Sequence, residues 1–101
     1  MAKTKIEFII NAPEGLKLSI VGSSQELGNW NDKSSVELKY CSDCQKYKIA
    51  KMLEVGSSHE FKVIANKSWE NVEKGTYGED VANHAFIANK GTKVEINIPR
   101  F

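Results

Sequence analysis

Apolar residues along this chain recur two apart, and no window of helical length holds them at 3.6-residue spacing. That period calls for strands exposed on one face and excludes a helix bundle. Ile6, Phe8 and Ile10 alternate with Glu7 and Ile9, and Leu16, Leu18 and Ile20 alternate with Lys17 and Ser19, so two strands are joined at Pro13-Glu14-Gly15. Further strands are predicted at Val36 to Tyr40, Tyr47 to Leu53, His59 to Ala65, Ser68 to Glu70, Ala85 to Ala88 and Lys93 to Ile98. About eight short strands suit a sandwich or barrel. With 101 residues there is room for one domain, 1–101, and one modest core.

The separators carry turn chemistry. Gly56-Ser57-Ser58 and Asn89-Lys90-Gly91 are short, polar and tolerant of positive φ, and both are expected to be hairpin connections. Two longer, irregular stretches run from Ser23 to Ser35 and from Asn71 to Asn83. Loops of that length in a small domain more often serve a site than merely join strands. The string Val-Gly-Ser-Ser occurs at Val21 and again at Val55, but the flanks differ and no internal repeat follows.

Charge excludes several partners. Fourteen Lys and Arg stand against thirteen Asp and Glu, a formal +1, so no net field draws in nucleic acid or an anionic membrane. No apolar run approaches the roughly 18 residues of a membrane span, and Met-Ala-Lys-Thr-Lys is not followed by a signal-peptide core. Catalysis finds no support either. No pair of carboxylates is singled out for acid and base work, and no Ser-His-Asp motif, phosphate-cradling loop or metal-ligand cluster is present. His59 and His84 read as surface or hydrogen-bonded residues, and no cofactor or metal is expected.

What remains is aromatic. Trp30 lies in Gly28-Asn29-Trp30-Asn31 and Trp69 in Lys67-Ser68-Trp69-Glu70, both in polar, turn-rich surroundings beside the irregular loops. Each indole either plugs an end of the sandwich or forms part of a recognition surface, where rigid rings supply area at small entropic cost. A sugar ring has an apolar C–H face on which such a ring stacks. Tyr40 and Tyr47 flank Cys41-Ser42-Asp43-Cys44-Gln45-Lys46. If that segment is a hairpin connection, the two rings are neighbours, either as cross-strand packing worth about 0.2–1 kcal/mol or as a second binding edge. The C-x-x-C lacks the helix start of a redox motif and the further ligands of a zinc site. It is expected to be a partly exposed thiol pair, with a disulfide as the alternative in a secretory setting.

Ser19 to Asn31, SIVGSSQELGNWN, resembles the strand and loop of starch-binding domains of carbohydrate-binding module family 20. Two later pieces fall in the right order: GSSHEFKVI, from Gly56 to Ile64, is similar to the family's Gly turn and Lys-bearing strand, and Trp69-Glu70 to its second Trp and following acid. The resemblance covers nearly the whole chain. It implies an all-β, immunoglobulin-like antiparallel sandwich of about 7–8 strands that binds α-1,4-linked glucan (starch, glycogen, maltooligosaccharide or cyclodextrin) without catalysis. The partner would be the glucan, and the domain one module of a larger protein, covalently linked to a catalytic domain. In a first site Trp30 and Trp69 would stack on glucose rings, Lys62 would donate to hydroxyls, and Glu70 would stand nearby. The family's Asn is matched by Asn83, although Asn71 to Ala82 lengthens the intervening loop and Lys74 occupies the gapless position. In a second, weaker site the family's aromatics correspond to Tyr40 and Tyr47, with Tyr47 in place of the common Trp and Ser19 in place of a frequent Tyr.

One rival reading remains, a protein-recognition sandwich with no sugar binding. Asn66-Lys67-Ser68 matches an N-glycosylation acceptor beside Trp69, where a glycan would obstruct the first site. With the lack of a signal-peptide core, this leans toward an intracellular setting, or an extracellular one if the module comes from a secreted amylase.

Overall fold

A computed structural model describes residues 2–101. Nine strands follow in order: β1 (Lys3–Asn11), β2 (Leu18–Gly22), β3 (Val36–Glu37), β4 (Lys39–Cys41), β5 (Lys46–Glu54), β6 (Ser58–Ala65), β7 (Ser68–Val72), β8 (His84–Ile87) and β9 (Lys93–Asn97). They form two sheets, one in the order β4-β5-β1-β9 and the other β3-β2-β6, with β7 and β8 both paired to β6. The expected immunoglobulin-like sandwich is therefore present. Alternation accounts for the core: Ile6, Phe8 and Ile10 of β1 face Ile20 of β2 and Phe61 and Val63 of β6, all fully buried. At its centre Phe8, Phe61 and Phe86 meet edge to face, with centroids 5.4–5.8 Å apart.

Three expectations about connectivity are corrected. Gly56-Ser57-Ser58 is not a hairpin turn, because β5 and β6 lie in opposite sheets. Its backbone is tied to Ala88 instead, with Gly56 N–H donating to Ala88 O (2.8 Å) and Ala88 N–H to Ser57 O (2.9 Å). Asn89-Lys90-Gly91 likewise crosses between sheets, from β8 to β9. That crossing brings β9 alongside β1 in the same direction, Glu7↔Lys93 through Asn11↔Asn97, so the sandwich is not wholly antiparallel. The stretch Val36 to Tyr40 is two strands in different sheets. The chain changes sheet at Leu38, which is buried and donates its N–H to Leu18 O at 2.8 Å.

The segment 41–46 is the hairpin connection expected, with Tyr40 directly opposite Tyr47. Cys41 and Cys44 are joined there as a disulfide, with Cα atoms 5.5 Å apart, which corrects the free-thiol reading. A tight turn brings residues three apart within bridging range.

Candidate functional site

The second sheet has an unusual edge. β8 pairs with the start of β6, from Phe61↔His84 to Ser58↔Ile87, and β7 with its end, at Ile64↔Val72 and Ala65↔Ser68. Lys62 and Val63 fall in the gap between them. Glu73 fills it: its N–H donates to Val63 O (3.0 Å), and its carboxylate accepts the Val63 N–H (2.7 Å). The other carboxylate oxygen lies 2.5 Å from His84 Nε2. An acid that is 2% exposed thus replaces a missing strand partner, and its hydrogen-bond partners are all internal.

The outward-facing residues of this sheet alternate with the core set. Ser19, Val21, Lys62 and Ile64 form one outward set, with Val21 opposite Lys62 and Ser19 opposite Ile64. Val21 and Ile64 are fully buried yet lie outside the main core cluster, so this face carries its own cover. The loop after β2 and the β6–β7 hairpin meet each other, with Lys33 Nζ reaching Lys67 O at 3.4 Å.

Each segment presents one indole. After β2 the chain passes Gly22, where a Cβ would collide with the Glu60 carbonyl, and turns through two short 3-10 segments, Gln25–Leu27 and Asp32–Ser34. Between them Gly28, Asn29 and Trp30 are all left-handed, with φ of 91°, 50° and 62°. Trp30 is held there by its N–H to Gly22 O (2.8 Å), and Asn31 caps the next turn by accepting the Lys33 N–H at 3.0 Å. The β6–β7 hairpin turns on Asn66 and Lys67, both left-handed, as a two-residue turn of the primed kind requires. Beyond it, one step on β6 faces four on β7, so Trp69, Glu70 and Asn71 bulge from the ladder.

The two indoles come together with centroids 6.2 Å apart and planes inclined by 37°, and Trp69 Nε1–H donates to Trp30 O at 3.1 Å. Trp69 is 37% exposed, Trp30 is half-buried, and neither belongs to the core cluster. Trp30, Lys62, Trp69 and Asn83 line one open depression. Four of the five residues expected in the first site are therefore gathered, and Asn83 arrives there despite the long loop. Glu70 is exposed, is not among the lining residues, and has its N–H held by the Ser68 hydroxyl at 3.2 Å.

The second pair is not a pair of platforms. Tyr47 is 2% exposed, accepts the Leu16 N–H (3.0 Å) and donates to Pro13 O (2.9 Å). It faces inward with Ile49 and Leu53, and only Tyr40, in edge contact with it at 4.9 Å, is half-exposed. Burial, followed by the charge of Glu14 and by Tyr47, pushes the Tyr40 phenol above its ordinary value. Ser19 is buried and gives no ring to this region.

Two surface carboxylates are locally paired. Asn11 and Lys46 both bond Glu95 and hold its carboxyl below the usual range. Lys74, at 2.5 Å, does the same to Asp80 by hydrogen bond and by charge, with the Lys62 ammonium adding to it. Reasoning from the sequence missed Glu73 and Asp80, because nothing in a linear pattern separates one buried or paired acid from the rest of the thirteen. His59 and His84 are both hydrogen-bonded, His59 to the Ser57 hydroxyl at 2.6 Å. Among the described residues no three His, Cys, Asp or Glu side chains gather as a metal-binding group.

Comparison with known proteins agrees with this fold. Nothing among curated protein sequences matches the chain. Among solved structures, a Hormoconis resinae glucoamylase superposes with a TM-score of 0.77 at 19% identity, over 98% of this chain and 18% of its own. The glucoamylase of Hypocrea jecorina gives 0.72 at 20%, over 96% of this chain and 17% of its own. The family 20 module of a maltotetraose-forming amylase from Pseudomonas saccharophila gives 0.71 at 21%, covering 93% of this chain and 99% of that module. This chain therefore spans under a fifth of the two glucoamylases and matches the separate module almost end to end. The family model described as the starch binding domain matches residues 3–96, and the chain belongs to that family, carbohydrate-binding module family 20.

Proposed function

We propose that residues 1–101 form a non-catalytic module that binds α-1,4-linked glucan in the depression between Trp30 and Trp69. The observation that carries this reading is the inclined indole pair, held at the surface by a left-handed backbone on one side and a bulged strand on the other. Two flat rings tilted by 37° suit successive glucose rings of a curved chain better than a flat one. Lys62 supplies donors for hydroxyl groups at the same depression, and Asn83 a second amide N–H beside the one it gives to Glu60 Oε1 at 3.3 Å, while the Trp69 N–H is already engaged by the protein. Tyr40 is the one half-exposed ring of the second region and contributes at most a weak contact there.

Stacking contributes about 0.5–1.5 kcal/mol per aromatic contact beyond area burial, so a single module binds weakly and gains from attachment to something else. The length of this chain relative to the glucoamylases supports a role in holding an attached catalytic activity against its polysaccharide. Titration with β-cyclodextrin or maltoheptaose, followed by tryptophan fluorescence and by the chemical shifts of both indole N–H groups, tests the reading. Saturable change at both indoles is expected. A folded protein with no response up to millimolar ligand would refute it and turn the search to protein partners.

A further inference from the structure

Between β7 and β8 the segment 73–83 is a built hairpin. Glu73 and His84 pin its base, as described above. Lys74 bridges to both Asp80 and Arg100, donating its N–H to Arg100 O at 2.9 Å and its ammonium to Asp80. At the tip Gly75 N–H donates to Glu79 O (2.8 Å), Gly78 N–H to Gly75 O (2.9 Å), and the Glu79 carboxylate accepts the Tyr77 N–H (2.9 Å). Gly75-Thr76-Tyr77-Gly78 is thus a closed β-turn, with Gly78 at a φ of 81°.

On this fastened turn the Tyr77 ring is 89% exposed, more than any other large hydrophobic side chain among the described residues. The fold gains no burial from it. A rigidly mounted, unpacked aromatic is a recognition feature, since it offers area to a ligand at little entropic cost. The hairpin stands beside the tryptophan depression, because its returning arm ends in Asn83, which lines that depression. Lys62, from the same depression, also lies close enough to help hold the Asp80 carboxyl low.

We infer that Tyr77 is a further sugar subsite, stacking on an additional glucose ring of a chain already seated on Trp30 and Trp69. The inference rests on the glucan reading of that pair and extends it toward longer ligands. Binding of a short oligosaccharide should ignore Tyr77, while binding of a long one should use it.

The test compares maltose with maltoheptaose on wild type, Tyr77→Ala and Tyr77→Phe, by calorimetry and indole chemical shifts. Tyr77→Ala is expected to weaken maltoheptaose by about three- to tenfold, the range of one stacking contact, with maltose unchanged and Tyr77→Phe close to wild type. An exposed ring on a backbone-bonded turn leaves the fold indifferent to these changes. Equal losses for both sugars, or no loss for either, overturn the subsite while the tryptophan reading stands. Failure of wild type to bind either sugar overturns both together.

Discussion

Trp30 adopts a φ of 62°, preceded by two further left-handed residues, and this gives substitutions there an unusual order of stability. A left-handed conformation costs a residue with a Cβ about 1–2 kcal/mol, and glycine escapes that cost. Trp30→Ala and Trp30→Gly both remove the indole, so losses from the Trp69 contact cancel in their comparison. What remains is the left-handed cost borne by alanine, less about 0.4–1 kcal/mol for the greater freedom of glycine in the unfolded chain. Glycine should therefore be the more stable by about 0.5–1 kcal/mol, the reverse of the order in a strand or helix. For a domain of this length that corresponds to about 2–8 °C in Tm. Thermal unfolding of the two variants by circular dichroism, with the disulfide intact, measures it. Alanine equal to or above glycine would refute the argument, because the backbone would then not be held left-handed at Trp30. Both variants should lose glucan binding, since the strain is tolerated where it presents the ring.

Other consequences are as direct. Tyr47→Phe removes the partner of the half-buried Leu16 N–H and should cost about 1–3 kcal/mol in urea unfolding without changing maltoheptaose affinity; an unchanged urea midpoint would show that the Leu16 N–H finds another partner. Glu73→Ala leaves the buried Val63 N–H without its partner and frees His84, and should cost about 1–3 kcal/mol, so an unchanged Tm would show that the edge gap is closed some other way. The Asp80 carboxyl is held below its ordinary value by Lys74, so its stabilising effect is present above about pH 4 and is lost as the pH falls through the folded value. Asp80→Asn should accordingly differ from wild type at pH 7 and converge with it once the carboxyl is protonated in the folded protein, and a gap that persists in acid would contradict the pairing. Reduction of Cys41–Cys44 reopens a four-residue loop, worth about 2 kcal/mol on the chain-entropy account, and should leave binding at the tryptophan depression intact; lost binding would tie the two sheets' surfaces together.

The strands were legible because their alternation is a local consequence of one buried face, and Ile6-Phe8-Ile10 shows it without ambiguity. Which sheet each strand joins was not legible. Gly56-Ser57-Ser58 has the chemistry of a tight turn, and only the pairing of its backbone with Ala88 makes it a crossover. For Tyr47 the signal was present: it shares a phase with Leu53, so the ring falls on the core face of its strand. The indole pair was recoverable from resemblance together with the loops that flank it. Its tilt was not, since it depends on left-handed residues at 29 and 30 that favour Asn and Gly but are occupied here by Asn and Trp.

The depression exists because β6 has one edge and two partners for it. Were β7 and β8 a single continuous strand, Lys62 would sit beside a regular ladder and the chain would have no cause to leave the sheet between Val72 and His84. Splitting the partner leaves two residues of β6 without a ladder neighbour on this edge, and the polar groups of Val63 then need other company. Glu73 provides it from the start of the inserted hairpin, and His84 secures Glu73 from the hairpin's end. The same closure delivers Asn83 to the site at one position before His84 and carries Tyr77 outward at the tip. Stability at this edge and access to ligand are thus two results of one interruption in the ladder. An acid buried for structural reasons thus holds together the base of a loop that is itself largely polar and exposed.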